Sequence, residues 1–286
     1  MLLRGKNRLL PHEVFFLLTN FVIAFRSVKN LGLLHSASLF TCSLVIFNIL
    51  LLVVCAKKDT DVAWRIRLLF YPVLMTLLFN YFKHWVPLIQ PAKEDEMLYH
   101  MDQLLIGFDI SLWAQTWEHP LISDIVSFCY LAFFPIVYGE IIYHFFTNLE
   151  THKKFYQGMF TAYAIAYLGY IFIPALGPGR FYESIFAGPV PGYFMTAFNS
   201  KVVAAGTVNC DVFPSLHCGM SAYVLMFYFH QNRKRFFIYL PFLIGTCVAT
   251  IYLRYHYLID CVLGFILAYY CFRVSQRNVN FEEETP

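Results

Sequence analysis

The apolar residues of this 286-residue chain occur in blocks, and seven of them approach or reach the length of a membrane span. A helix needs roughly 20 predominantly apolar residues to cross a bilayer. Charged residues make up 14% of the chain, whereas a soluble domain carries about a quarter. The sequence therefore predicts an all-α, polytopic helical membrane protein with about seven transmembrane helices, within a range of six to eight. The predicted spans are residues 31–55, 67–89, 121–147, 155–176, 214–229, 236–252 and 256–272.

Two further segments carry a weaker helical signal. Residues 92–119 are polar and acidic, but apolar positions recur at helical spacing from Leu98 to Trp113. This pattern predicts an amphipathic helix on the membrane surface. Residues 13–25 are apolar but only about half as long as a span requires. The sequence therefore allows two alternatives for this segment, a surface or re-entrant helix and an eighth membrane-spanning helix.

Lys and Arg are unevenly distributed between the two sets of predicted loops. Cytoplasmic loops of membrane proteins are enriched in these residues. One set holds eleven of them and the other only four, namely Lys93, Arg180, Lys201 and Arg254. The sequence therefore predicts that the poorer set faces the exterior, the periplasm or the lumen of an organelle.

Net charge and cysteine spacing argue against two other kinds of site. A net charge of +3 is too small and too dispersed to indicate a nucleic-acid partner. The eight cysteines show no CxxC and no metal-ligand spacing, and most lie inside apolar blocks. We expect them to be small buried residues. The sequence leaves undecided whether the loop residue Cys210 forms a disulfide bond with Cys218.

Three short motifs place ionisable residues at the ends of apolar blocks. Residues 177–180 (GPGR) follow the fourth predicted span, residues 213–217 (FPSLH) open the fifth, and residues 254–260 (RYHYLID) open the seventh. Ionisable groups are costly at membrane depth and usually serve function there. Because the loop after the fourth span returns to the side that it left, and the sixth span runs outward again, all three motifs should lie at one face.

The residues of the second and third motifs suit the cleavage of a phosphate ester. A neutral imidazole can attack phosphorus, which makes His256 the candidate nucleophile. Asp260 lies one helical turn later and can orient that ring through its far nitrogen. His217 is the candidate general acid that protonates the leaving alkoxide.

Three further residues are candidates for binding the phosphate oxygens. Ser215 and the free amides of its helical turn form a predicted anion cradle, because helix N-termini favour negative charge. Arg180 and Arg254 can offer forked donors to phosphate. This arrangement requires no metal ion and no cofactor.

The same residues resemble the signatures of a known family. PSLH at residues 214–217, followed by RYHYLID at residues 254–260, is similar to the second and third signatures of the type-2 phosphatidic acid phosphatase superfamily. The resemblance covers roughly residues 65–273 and is greatest to the branch that contains inositol phosphorylceramide synthases. It implies His217 as general acid, His256 as nucleophile and Asp260 as its orienting partner.

The chain departs from the superfamily pattern at three positions. Leu216 replaces the usual glycine of the second signature, although its backbone amide remains available. Thr250 stands where the third signature usually has an arginine, and Arg254 can supply that charge instead. Ile173 stands where the first signature has a lysine, which leaves Arg180 as its remaining cation.

These observations predict an integral membrane enzyme whose substrate is a phosphorylated lipid and whose active site lies on the extracytoplasmic or luminal face. Attack by His256 would form a phosphohistidine intermediate. If water hydrolyses this intermediate, the protein is a lipid phosphatase, which we favour because water needs no second binding pocket. Transfer to a lipid or inositol hydroxyl would make it a head-group phosphotransferase, and a non-enzymatic transporter or scaffold is the third interpretation. The oligomeric state stays open. The predicted divisions are a cytosolic or interfacial segment at residues 1–30, a transmembrane catalytic domain at 31–273 and an acidic tail at 274–286.

Overall fold

The computed structural model describes residues 9–277 apart from residues 57 and 59, and twelve α-helices and no strand occur among them. Most of the predicted acidic tail lies outside the described residues. The helices are α1 (Pro11–Leu31), α2 (Ser36–Ala56), α3 (Asp61–Ile89), α4 (Asp95–Ile106), α5 (Ile110–Gln115), α6 (Pro120–Phe145), α7 (Leu149–Phe172), α8 (Pro178–Phe181), α9 (Phe194–Gly206), α10 (Leu216–Gln231), α11 (Arg233–Tyr252) and α12 (Leu258–Ser275).

Six of these helices are long and apolar enough to cross a membrane, namely α1, α2, α3, α6, α11 and α12. The prediction of an all-α polytopic membrane protein is confirmed. Helices α7 and α10 are packed inside the bundle, and α7 contacts α1, α3, α6, α10 and α12. Phe160, Ala164 and Tyr167 of α7 are fully buried. A helix that is apolar and buried on several sides belongs at the centre of a bundle.

Helix α1 includes residues 13–25, whose course the sequence left open. It is 21 residues long and qualifies as a candidate span. Near its start, Glu13 is paired with Arg67 in the second turn of α3. Near its end, Arg26 donates hydrogen bonds to the carbonyl of Ile171 at 2.9 Å and to the side chain of Gln90 at 3.0 Å. The helix therefore runs along α3 and α7 from one end of the bundle to the other.

The predicted surface segment forms two helices, α4 and α5. Helix α4 turns Asp95, Leu98 and Asp102 inward, whereas Leu104 is 88% exposed. Trp113 and Trp117, in and after α5, are also exposed. The two helices therefore present apolar side chains away from the bundle, as expected of elements at a membrane surface.

The long loop between α7 and α10 contains α8 and α9. Helix α9 is tied to the start of α6, because the Asp124 carboxylate accepts hydrogen bonds from the backbone amides of Tyr193 at 2.8 Å and Thr196 at 3.0 Å. The side-chain amide of Asn199 donates to the hydroxyl of Tyr255 at 3.0 Å. These contacts hold the loop over the end of the bundle that carries the three motifs.

Candidate active site

Backbone hydrogen bonds join the three motifs directly. The amide of Gly179 in the first motif donates to the carbonyl of Arg254 in the third at 2.8 Å. The amide of Ser215 in the second motif donates to the carbonyl of Asp260 at 3.0 Å. The motifs are separated by up to about 80 residues in the chain, yet they form one connected structure at one end of the bundle.

Two glycines allow this close approach of backbones. Gly177 has a φ of +86°, in the left-handed region that favours glycine, and a Cβ there would overlap the carbonyl of Tyr255. A Cβ at Gly264 of α12 would overlap the carbonyl of Ser215. Any larger side chain at either position would push the motifs apart.

His256 lies between the other two predicted catalytic residues. Its Nδ1 is 3.1 Å from Oδ2 of Asp260, and its Nε2 is 3.4 Å from Nδ1 of His217. The same Oδ2 of Asp260 accepts the amide of Tyr257 at 2.8 Å. Asp260 is fully buried and His256 is 2% exposed. A carboxylate at Nδ1 places the reactive lone pair of the neutral ring on Nε2, on the side of His217.

The surroundings of His256 determine its proton affinity. Burial lowers the pKa of His256, but the hydrogen bond and negative charge of Asp260 outweigh it, so the pKa is raised above its ordinary value. A more basic imidazole is a better nucleophile when it is neutral, and Asp260 would stabilise the positive charge that develops on attack.

His217 is held by aromatic side chains of α6. Its ring stacks on Tyr130, with centroids 4.6 Å apart, and contacts Phe133 at 4.8 Å and Phe134 at 5.9 Å. This aromatic wall was missed in the sequence, where the three residues are simply part of an apolar block. It restrains the ring beside His256 without removing its polar edge.

The predicted phosphate-binding arginines differ in what they already bind. Arg180 is exposed, and its guanidinium donates to the side chains of Asn209 at 2.6 Å and Thr207 at 3.4 Å. Arg254 is 6% exposed and donates to the Glu118 carboxylate at 2.5 Å and to the carbonyl of Gly188 at 2.8 Å. Arg180 therefore holds neutral acceptors, whereas Arg254 already has a carboxylate partner.

Ser215 begins α10 as its N-cap. Its hydroxyl accepts the amide of Cys218 at 3.3 Å, and the side chain is fully buried. The nearby Asp211 accepts a hydrogen bond from Thr207 at 3.2 Å and lines the cavity described below. Cys210 and Cys218 are both free thiols.

A cavity of about 820 Å³ adjoins the two histidines. Its polar lining includes Arg180, Thr207 and Asp211, and it also contains an apolar part. The volume is in the upper range of small-molecule sites. The apolar part is lined by Phe79, Tyr130, Phe134, Phe186, Val190, Val202, Val203, Val212 and Leu253.

Comparison with known proteins identifies the family. Residues 96–274, more than half of the chain, match the PAP2 superfamily. The chain belongs to this superfamily. The resemblance inferred from the two motifs is thereby confirmed, and at the level of the family the chain is placed among lipid phosphatases and phosphotransferases.

One curated relative is the inositol phosphorylceramide synthase catalytic subunit aur1 of Schizosaccharomyces pombe, which is 32% identical over 84 residues. The matched region is 28% of this chain and 20% of the relative, so the chain spans only a small part of that protein. No solved structure matches the chain.

Proposed function

We propose that this protein is a membrane phosphotransferase that moves a phosphorylated head group from a phospholipid to the hydroxyl of a second lipid. The observation that supports it best is the His217–His256–Asp260 array beside a cavity of about 820 Å³. The array suits phosphoryl chemistry, and the cavity is large enough to hold part of a lipid substrate.

In the first step, Nε2 of neutral His256 attacks phosphorus. The P–N bond forms as the P–O bond to the leaving alcohol breaks. His217, whose protonated form the negative charge of the bound phosphate would favour, gives its proton to the departing oxygen. Asp260 accepts the Nδ1–H of His256 and stabilises its positive charge. In the second step the acceptor hydroxyl gives its proton to His217 and attacks phosphorus, the P–N bond breaks, and both histidines return to their starting states.

The phosphate oxygens would be held by Arg180, Arg254 and the first turn of α10. Arg180 is the strongest candidate, because a phosphate competes well with the neutral acceptors Asn209 and Thr207. Arg254 would have to exchange Glu118 for the phosphate, or act through its charge alone. Ser215 would contribute by capping α10, whose free amides favour an anion.

Two observations favour transfer over hydrolysis. The apolar part of the cavity offers room for the chain of an acceptor lipid next to the phosphate position. The relative from S. pombe is named for the synthesis of inositol phosphorylceramide, and for this chain we propose ceramide as the acceptor and an inositol phospholipid as the donor. Hydrolysis of the same intermediate by water remains the alternative reaction. By the distribution of Lys and Arg, the site would face away from the cytoplasm.

The test is a product assay with the purified protein in mixed micelles. Phosphatidylinositol is supplied alone, with ceramide or with diacylglycerol, and both the phosphorylated lipid product and free inositol phosphate are measured. Transfer predicts inositol phosphorylceramide as the main product when ceramide is present. Free inositol phosphate as the main product under all conditions would instead establish hydrolysis of the phosphodiester by water. His230→Ala is the matched control, because His230 lies at the other end of α10 from His217.

A further inference from the structure

Helix α4 directs two buried carboxylates at the motif backbones. Oδ2 of Asp102 accepts the amide of Leu258 at 2.7 Å, and Oδ1 accepts the amide of Ile259 at 2.8 Å. These amides belong to the first turn of α12, where a carboxylate both satisfies free N–H groups and opposes the positive end of the helix dipole. Asp102 is therefore a cap for α12 that is supplied by another helix.

The capped turn is the turn that carries the catalytic pair. Leu258 and Ile259 lie between His256 and Asp260, and the preceding amide, that of Tyr257, donates to Asp260. Three consecutive amides are thus bound by two carboxylates. A distortion of this turn would change the distance between His256 and Asp260, because its backbone joins the two residues.

Asp95 makes the corresponding contacts to the first motif. Its carboxylate accepts the amides of Leu176 at 3.0 Å and Gly177 at 2.9 Å, and the hydroxyl of Tyr257 at 3.0 Å. One side chain therefore connects the start of the Gly177–Arg180 segment to the residue that follows His256.

The attachment of α4 depends on these polar contacts. Leu98 is its one fully buried apolar residue, beside Asp95 and Asp102, and Tyr99 and Met101 pack half-buried in the same small cluster. Burial raises the pKa of both carboxyl groups, and the backbone amides oppose this rise. Burying a carboxylate is unfavourable unless it is well hydrogen-bonded, so the two aspartates are matched to the motif backbones that they bind.

We propose that α4 is a positioning element for the reaction, in which Asp102 holds the His256–Asp260 pair in the geometry for attack and Asp95 holds the first motif against it. This inference rests on the proposed function, because it assigns to α4 the alignment of the proposed nucleophile. Neither aspartate contacts the reacting atoms in this scheme.

The test compares Asp102→Ala and Asp102→Asn with Asp109→Ala in the lipid-product assay. Asp109 is the matched control, because its carboxylate caps α5 through the amide of Leu112 instead of binding a motif backbone. We expect Asp102→Ala to lower kcat by about 10- to 100-fold, as when an outer partner of a catalytic group is lost. KM should change less than about threefold, and Asp102→Asn, which keeps one acceptor oxygen, should recover part of kcat.

The pH profile separates positioning from a loss of folded protein. A looser His256–Asp260 contact lets the pKa of His256 fall, so the acidic limb of kcat/KM should move to lower pH in Asp102→Ala. Fewer folded molecules would lower the whole profile without moving it. The other titratable groups around His256 remain in place in this variant, namely His217, Cys218, Asp211, Arg254 and Tyr255.

The outcomes distinguish this inference from the proposed function. If kcat of Asp102→Ala equals that of Asp109→Ala, or if it falls with an unmoved pH profile, α4 has no positioning role. If His256→Ala turns over like the wild type, the proposed function fails whatever the Asp102 variants do. An inactive His256→Ala together with a fully active Asp102→Ala would overturn the role of α4 alone.

Discussion

The two ends of the helix bundle both contain buried ionisable residues, but they use them differently. At the end that carries the motifs, His217 and His256 adjoin a large cavity. At the opposite end, Glu13 is paired with Arg67, and Glu140 accepts hydrogen bonds from Tyr228, Tyr239 and Arg235. Neither carboxylate there is among the residues that line the cavity.

This difference shows that burial of charge alone does not identify a reactive site. Glu13 and Glu140 are as buried as Asp260, with exposed fractions of 0%, 2% and 0%. Their partners are cations and hydroxyls that connect helices, whereas Asp260 orients a histidine whose other nitrogen is directed to the site. Between the two ends, the centre of α7 is packed with fully buried residues such as Ala162 and Ala166.

The largest effect should come from the nucleophile. In the proposed mechanism, His256→Ala removes the atom that forms the covalent intermediate, so kcat should fall by about 10⁴-fold or more. The melting temperature should stay near that of the wild type, and His230→Ala should remain active. Turnover of His256→Ala within tenfold of the wild type would contradict the proposed mechanism.

At the opposite end, the expected effect is on stability. Glu13→Ala leaves Arg67 buried without its carboxylate, which typically costs about 3–5 kcal/mol. The melting temperature in detergent should fall markedly, while kcat per folded molecule is retained. A variant that keeps its stability but loses kcat would show that the two ends are not functionally separate.

Loss of a phosphate contact should have a smaller effect on the rate. Arg180→Ala removes a forked donor, and we expect kcat/KM to fall by about 10- to 100-fold, since a hydrogen bond to a charged group contributes roughly 1.5–3 kcal/mol. Arg180→Lys should recover part of this loss through its charge. Lys201→Ala serves as the control, because it removes a cation from the same set of predicted loops. An equal loss of kcat/KM in Lys201→Ala would indicate that the overall positive charge matters and not a direct contact of Arg180 with phosphate.

The smallest effect concerns pH. Only neutral His256 can attack phosphorus, and its pKa is raised by Asp260. As pH falls through this pKa the ring is protonated, so kcat/KM should decline with a midpoint above the ordinary value of about 6.5. The profile of kcat/KM against pH measures this midpoint, and a midpoint below that value would contradict the assigned role of Asp260.

Much of the fold follows from local patterns. Apolar blocks predict helices of the required length, and the spacing of His256 and Asp260 predicts their contact because both lie on one turn. Helix α1 was harder to predict because polar residues, Glu13 and Arg26, shorten its apolar block. They are accommodated by partners on α3 and α7, which are far away in the chain.

Composition and the spacing of residues within single elements were enough to predict the class of protein and the family, and they named the candidate site residues. The tertiary structure decided which partner each side chain has. Arg254 meets Glu118, which is 136 residues away, and Asp102 meets Leu258, which is 156 residues away. Such contacts depend on how helices pack against one another, and the spacing of residues within one helix carries no record of them.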